Sequence, residues 1–190
     1  MEIIINNLSK NYGGDSVLDN FSLTLTDARP VCLMGVSGRG KTTLFSILLG
    51  IVKADSGSIQ GTEGKKFSAV FQEDRLCDEL SALMNLAIVQ DSPDMSQLAA
   101  FLGDMGLEED EIRRPVSALS GGQRRRVAIL RALVNNSDAV LMDEPFKGLD
   151  EDTRAMVINQ VKRHLAGRLL MVITHDAEDA AALGADIVNM

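Results

Sequence analysis

The chain has 190 residues, 45% hydrophobic and 24% charged, with a formal net charge of −8 and no tryptophan. That length suits one domain with a substantial core and room for a subdomain. The acidic balance argues against a general nucleic-acid binder, so no nucleic-acid partner is expected. No segment approaches the roughly 20 apolar residues that cross a bilayer, and Met1-Glu2-Ile3-Ile4-Ile5-Asn6 has no apolar signal-peptide core. A soluble, cytosolic chain without direct membrane insertion is the expectation. Cys32 and Cys77 match no metal or redox spacing, and Cys32, inside an apolar run, reads as a buried thiol.

In chain order, Ile3 to Ile5 reads as a strand, and Phe21 to Thr26 alternates with the period of a half-buried one. Between them Asn11-Tyr12-Gly13-Gly14-Asp15 is a turn cluster. Tyr12, the only tyrosine, has two readings at this point: a ring offered to a purine base, or a cover for the edge of a small β-layer. Pro30 opens an apolar strand, Val31 to Met34, where its missing N–H is tolerable.

Gly35-Val36-Ser37-Gly38-Arg39-Gly40-Lys41-Thr42 follows, fitting G-x-x-x-x-G-K-[ST] between that strand and an apolar helix from Thr43 to Leu49. Strand, loop and helix are the setting that a phosphate-binding loop needs. Its glycines let the backbone turn N–H groups toward a polyphosphate, and the first helical turn adds donors and a positive dipole end. Lys41 supplies a point charge for the β- and γ-phosphates, and the Thr42 hydroxyl suits Mg²⁺.

Gly57 to Gln60 and Phe67 to Phe71 read as short strands joined by a turn near Gly61 to Gly64. From Gln72 to Leu119 the pattern becomes helical, with segments at 82–88 and 97–102 separated by Asp91-Ser92-Pro93-Asp94. Glu108-Glu109-Asp110-Glu111 leads into Ile112-Arg113-Arg114 and stops at Pro115, acid early and base late as a solvated helix prefers. In Leu119-Ser120-Gly121-Gly122-Gln123, Ser120 is a helix N-cap, and the glycines leave the first N–H groups uncovered as a second anion site. Arg124, Arg125 and Arg126 read as a solvated helix face with local ion pairs, the rival being a nucleic-acid patch.

Ala139 to Asp143 is a buried strand ending in a carboxylate, followed by Glu144. In a phosphate-loop protein Asp143 is placed for Mg²⁺, and Glu144 is a candidate base for an attacking water. A helix over 151–165 and a buried strand from Leu169 to Ile173 lead to Thr174-His175-Asp176. A polar residue just beyond a core strand of an open parallel sheet points into the ligand crevice, which makes His175 a γ-phosphate sensor candidate. His164, read on the exposed side of its helix, is given no role.

Taken together, these motifs closely resemble an ATP-binding cassette ATPase over essentially the whole chain. The order is phosphate loop, Gln72, Leu-Ser-Gly-Gly-Gln, an apolar strand to Asp-Glu, Gly148-Leu149-Asp150, and Thr-His-Asp. The resemblance implies an α/β P-loop NTPase with a RecA-like mixed or parallel sheet core, an N-terminal antiparallel β subdomain and a small helical subdomain. The divisions expected are a β subdomain and core over about 1–72, a helical subdomain over about 73–120, and core again over about 121–190.

It further implies ATP and Mg²⁺ as ligands and a head-to-tail homodimer, or paired cassette, with two shared ATPs. Gly35, Ser37, Gly38, Arg39, Gly40, Lys41, Thr42 and Thr43 would hold the phosphates, with Tyr12 stacking on adenine. Ser120, Gly121, Gly122 and Gln123 would bind the γ-phosphate of the other copy, and Asp150 would lie in the loop crossing the dimer. Thr42, Gln72 and Asp143 would serve the metal, while Glu144, His175 and Gln72 would serve hydrolysis. Phe71 to Leu76 and Asp143 to Phe146 are most similar to importer subunits. That implies an ATPase on the cytoplasmic face of the membrane, held there by integral permease subunits, the alternative being a soluble assembly or regulatory factor.

The sequence departs from the family pattern at Arg39, at Lys147 and at Asp27-Ala28-Arg29-Pro30, and none of these removes a catalytic group. It ends soon after His175, so a near-minimal cassette without a regulatory domain is expected. The stretch between Gln72 and Ser120 is too short for the long coiled coil of chromosome-organising relatives. Asn135-Asn136-Ser137-Asp138 lacks the lysine of a guanine reader.

Overall fold

Two strands longer than the sequence suggests open the chain in the computed structural model, which describes all residues from Met1 to Met190. Strand β1 (Glu2–Tyr12) and β2 (Asp15–Thr26) pair antiparallel as one hairpin, turning at Gly13-Gly14. The expected break between separate short strands is a run of register shifts instead, with Asn7 and Asn20 both at φ 48. Asparagine tolerates that left-handed conformation, and the resulting bulges disturb the period of two that would mark a continuous strand. Strand β4 (Ser56–Gln60) pairs with the other side of β1, giving the sheet order β2-β1-β4. The turn after β4 leads to β5 (Phe67–Val70), which does not pair with β4.

The chain divides into two compact units. The first comprises residues 1–67, 137–144 and 167–190. Beside the antiparallel sheet it holds β3 (Val31–Met34), β6 (Ala139–Asp143), β7 (Leu169–Ile173) and β8 (Asp186–Asn189), parallel in the order β6-β7-β3-β8. Every residue of β6 and β7 is buried, which explains why both read as unbroken apolar runs rather than alternating ones. Helix α1 (Lys41–Leu48) follows the glycine-rich loop and buries Leu44, Phe45, Ile47 and Leu48. Helix α7 (Ala177–Leu183) is capped by Asp176, which accepts from the Glu178 N–H at 2.8 Å.

The second unit, residues 68–136 and 145–166, is almost wholly helical: α2 (Ala82–Ala87), α3 (Met95–Asp104), α4 (Glu109–Arg113), α5 (Gly121–Val134) and α6 (Glu151–Leu165). Leu86, Leu98, Leu102, Met105, Ile129, Val157 and Val161 form its core. His164 is part-buried and meets Phe101 edge-on with ring centroids 4.4 Å apart, which corrects the exposed position inferred from helical periodicity. No helix is long and apolar enough to cross a membrane.

Candidate functional site

Within the first unit, three neighbouring strand ends carry the polar groups. The loop after β3 begins at Gly35 (φ 140), where an added Cβ would lie 2.3 Å from the Met190 carbonyl oxygen. It ends at Gly40 (φ 83), where a Cβ would meet the Val17 carbonyl oxygen at 2.4 Å. No other residue fits either position without moving backbone. At Gly38 a Cβ would meet nothing, so the middle of the loop is open. Lys41 is only 6% exposed, and its ammonium donates to the Gly35 and Val36 carbonyl oxygens at 2.7 and 2.9 Å. The lysine is thereby held across the loop it serves.

Ser37 and Arg39 are exposed, and Thr43 is half-buried on the first turn of α1. Arg39 lines a cleft of about 250 Å³ with Ser16, Val17, Asp19 and Gly38. Tyr12 stands at the hairpin end, 47% exposed, with the Lys10 ammonium 5.3 Å from its ring centroid. About half of its surface is therefore open to solvent.

Thr42 donates its hydroxyl to Asp143 Oδ2 at 2.9 Å, joining the first turn of α1 to the end of β6. A hydroxyl and a buried carboxylate are hard oxygen donors, the set that could hold Mg²⁺. Glu144 follows in a left-handed conformation at φ 50, rare for a non-glycine residue and costly by about 1–3 kcal/mol. Its N–H donates to the Ile173 carbonyl at 2.9 Å, which stitches this strained turn to the end of β7. The Glu144 carboxylate, mostly buried, lies 3.0 Å from Nε2 of the half-exposed His175.

Sequence reasoning missed what holds His175. Thr174 is buried, its N–H donates to the Leu33 carbonyl, and its hydroxyl donates to the buried Asp179 carboxylate at 2.5 Å. The same hydroxyl accepts from the Asp176 N–H at 3.1 Å, so the residues flanking the imidazole are both fixed. Burial and the nearby Asp179 charge push the Cys32 thiol up to about 12.

Gln72, the Leu-Ser-Gly-Gly-Gln run and Asp150 belong to the second unit. Gln72 is exposed in the loop after β5. Ser120 caps α5: its hydroxyl accepts from the Gln123 N–H at 3.3 Å, and Gln123 Oε1 returns a bond from the Ser120 N–H at 2.8 Å. Gln123 also bonds Glu111, so its amide is committed to shaping the helix end. A Cβ at Gly121 would meet nothing within 4 Å, and at Gly122 only Leu149 at 3.6 Å. The helix end thus presents an open, donor-rich surface suited to an anion. Asp150 caps α6, and the hydrogen bonds from Thr153 hold its carboxyl below the usual range.

The three arginines after this run are not a solvated face. Arg124 reaches Asp78 and the Val116 carbonyl, and Arg126 donates to the Met105 and Gly106 carbonyls. Arg125 is buried, a correction to the expected solvated position. Helical spacing could have shown it, because Arg125 shares a face with the buried Ala128, Ile129 and Ala132.

Comparison with known proteins identifies the family. The family described as ABC transporter matches residues 18–147. The aliphatic sulfonates import ATP-binding protein SsuB of Frankia casuarinae is 38% identical over 186 residues, covering 95% of this chain but 60% of that relative. The taurine import ATP-binding protein TauB of Escherichia coli O157:H7 is 35% identical, with 97% and 77% covered. Among solved structures, the dimeric post-hydrolysis state of the ATP-binding cassette MJ0796 bound to ADP and Pi superposes with a TM-score of 0.85 at 28% identity. That match covers 99% of this chain and 94% of the other. With its glycine-rich loop, parallel core and antiparallel N-terminal sheet, the chain belongs to the ABC transporter family.

Proposed function

We propose that this chain is the ATP-hydrolysing subunit of a membrane importer, acting on the cytoplasmic face as a head-to-tail pair with two ATPs between the copies. The observation that carries this reading is the pairing of Thr42 with Asp143 and of Glu144 with His175 at adjacent strand ends. Lys41 exchanges its bonds to Gly35 and Val36 for the β- and γ-phosphates, while the backbone from Gly35 to Thr43, including Ser37, Gly38, Arg39 and Gly40, cradles them. Tyr12 stacks on the adenine.

Thr42, Asp143 and Gln72 would hold Mg²⁺, which when bound would neutralise charge on the phosphate oxygens. Glu144 takes the proton of the attacking water, and His175 orients that carboxylate and senses the γ-phosphate. The open helix end at Ser120, Gly121, Gly122 and Gln123 engages the γ-phosphate of the other copy, and Asp150 shapes the crossing loop. Loss of that shared anion on hydrolysis loosens the pair, and the cycle of closure and opening drives integral permease subunits. The names of the two relatives point to a small organic sulfonate as the imported solute, recognised by other subunits.

A pull-down of tagged Glu144→Gln protein from native membranes, with ATP and Mg²⁺, tests the transport half. Recovery of a multi-span membrane protein is expected. Recovery of soluble partners alone would replace transport by an assembly role and leave the ATPase chemistry standing.

A further inference from the structure

Arg125 is the one charged residue among those that α5 buries. Its Nε donates to the Pro145 carbonyl at 2.9 Å, and its Nη1 donates to the Phe71 carbonyl at 2.6 Å. The same nitrogen lies 3.4 Å from the Gln72 carbonyl and 3.2 Å from Asp74 Oδ1. One planar fork therefore joins three pieces of chain: the helix that begins at Ser120, the loop that carries Gln72, and the residue directly after Glu144. A guanidinium can bond in several directions from one rigid plane, which an ammonium cannot match.

Two neighbours reinforce the loop side. Arg131, six residues further along α5, donates to the Asp74 and Arg75 carbonyls at 3.3 and 3.0 Å. Arg75 itself sits in a left-handed conformation at φ 46, its guanidinium 3.7 Å from the Phe71 ring centroid. The loop is thus fastened to α5 by arginine side chains that donate to its main-chain carbonyls. Buried carbonyls that lost this donor would have to find another or stay unsatisfied.

We propose that Arg125 is a positioning residue for ATP hydrolysis: it fixes the Gln72 loop and Pro145, the residue directly after Glu144, to the helix headed by Ser120, so that engagement of that helix end sets the hydrolytic geometry. The inference rests on the ATPase reading above. Arg125 touches neither nucleotide nor water, and it acts on the placement of residues that do. Since it belongs to the linkage and not to the phosphate loop, ATP affinity does not depend on it.

The test is steady-state ATPase kinetics of the full chain carrying Arg125→Met, which keeps the apolar stem and removes the fork. We expect KM for ATP within about twofold of wild type and kcat lower by about 10- to 100-fold, the cost of a small misplacement of reacting groups. Arg125→Lys should recover only part of that loss. In a double-mutant cycle with Gln72→Ala the two losses should be strongly non-additive, because one acts through the other. Wild-type kcat in folded Arg125→Met protein, or simple additivity, overturns the inference.

If circular dichroism shows Arg125→Met unfolded, Asp74→Asn weakens the same clamp more gently and should lower kcat several-fold at unchanged KM; wild-type kcat there is equally fatal. A wild-type chain without turnover would count against the ATPase reading instead. In that event amide exchange over 71–75 decides: it accelerates in Arg125→Met if the clamp is real, and an unchanged rate overturns it.

Discussion

The two units fasten their functional residues in different ways. In the first, Asp143, Glu144 and His175 sit at the end of a buried parallel strand or within two residues of it, so the sheet register itself sets their position, while Lys41 and Thr42 open α1 after the glycine-rich loop that follows β3. Asp143 pairs in register with Ile173 and Val31 with Met171, and the bonds Glu144 to Ile173 and Thr174 to Leu33 continue that stitching past the strand ends. In the second unit the candidate residues lie on a loop and at helix ends: arginines reaching main-chain carbonyls hold the Gln72 loop, and capping bonds hold Ser120 and Asp150. A strand-end site is rigid because moving it breaks a buried ladder. A site fastened by side chains can move with its helix as a body, as the proposed engagement of another copy would require.

The largest effect that separates the two is expected from Lys41→Ala. This removes the charge from the strand-end site, and isothermal titration should show ATP binding lost. Unchanged affinity would remove the phosphate loop from the account. A smaller effect is expected from Thr174→Val, which deletes the hydroxyl between Asp176 and Asp179 at constant shape. We expect kcat to fall about tenfold with KM for ATP unchanged, while Thr174→Ser stays near wild type. Equal behaviour of the serine and valine variants would show that the hydroxyl does not position His175.

The smallest perturbation probes burial alone. Cys77 is exposed, whereas Cys32 is buried on β3 with its thiol pushed up to about 12. At pH 7–8 a thiol reagent should modify Cys77 and spare Cys32 until the protein unfolds, because the thiolate is the reactive form. Rapid labelling of both in the native protein would contradict the rigid packing assigned to the first unit.

This contrast also explains what was legible in the sequence. Asp143, Glu144 and His175 could be picked out at the ends of the apolar runs Ala139 to Met142 and Leu169 to Ile173, and Lys41 and Thr42 by the glycine motif that follows Val31 to Met34. The parallel core was legible for the same reason. The full length of the N-terminal hairpin was not, because its bulges at Asn7 and Asn20 interrupt the alternation. Arg125 was misread because three adjacent arginines suggest a polar face, although its helical position is a buried one. The Thr174–Asp179 bond joins residues whose meeting depends on the turn into α7, and no local pattern announces it. The left-handed conformation of Glu144 is a tertiary effect of the same kind.

The central claim is that Glu144 acts on an ATP already bound, in a pair of chains that ATP itself holds together. Light scattering of Glu144→Gln protein with ATP and Mg²⁺, beside a turnover assay, tests it most directly. The account predicts a stable dimer that needs ATP, with turnover reduced by about 10²- to 10⁴-fold, the usual worth of a general base. Hydrolysis near the wild-type rate, or a variant that stays monomeric with ATP bound, would contradict it.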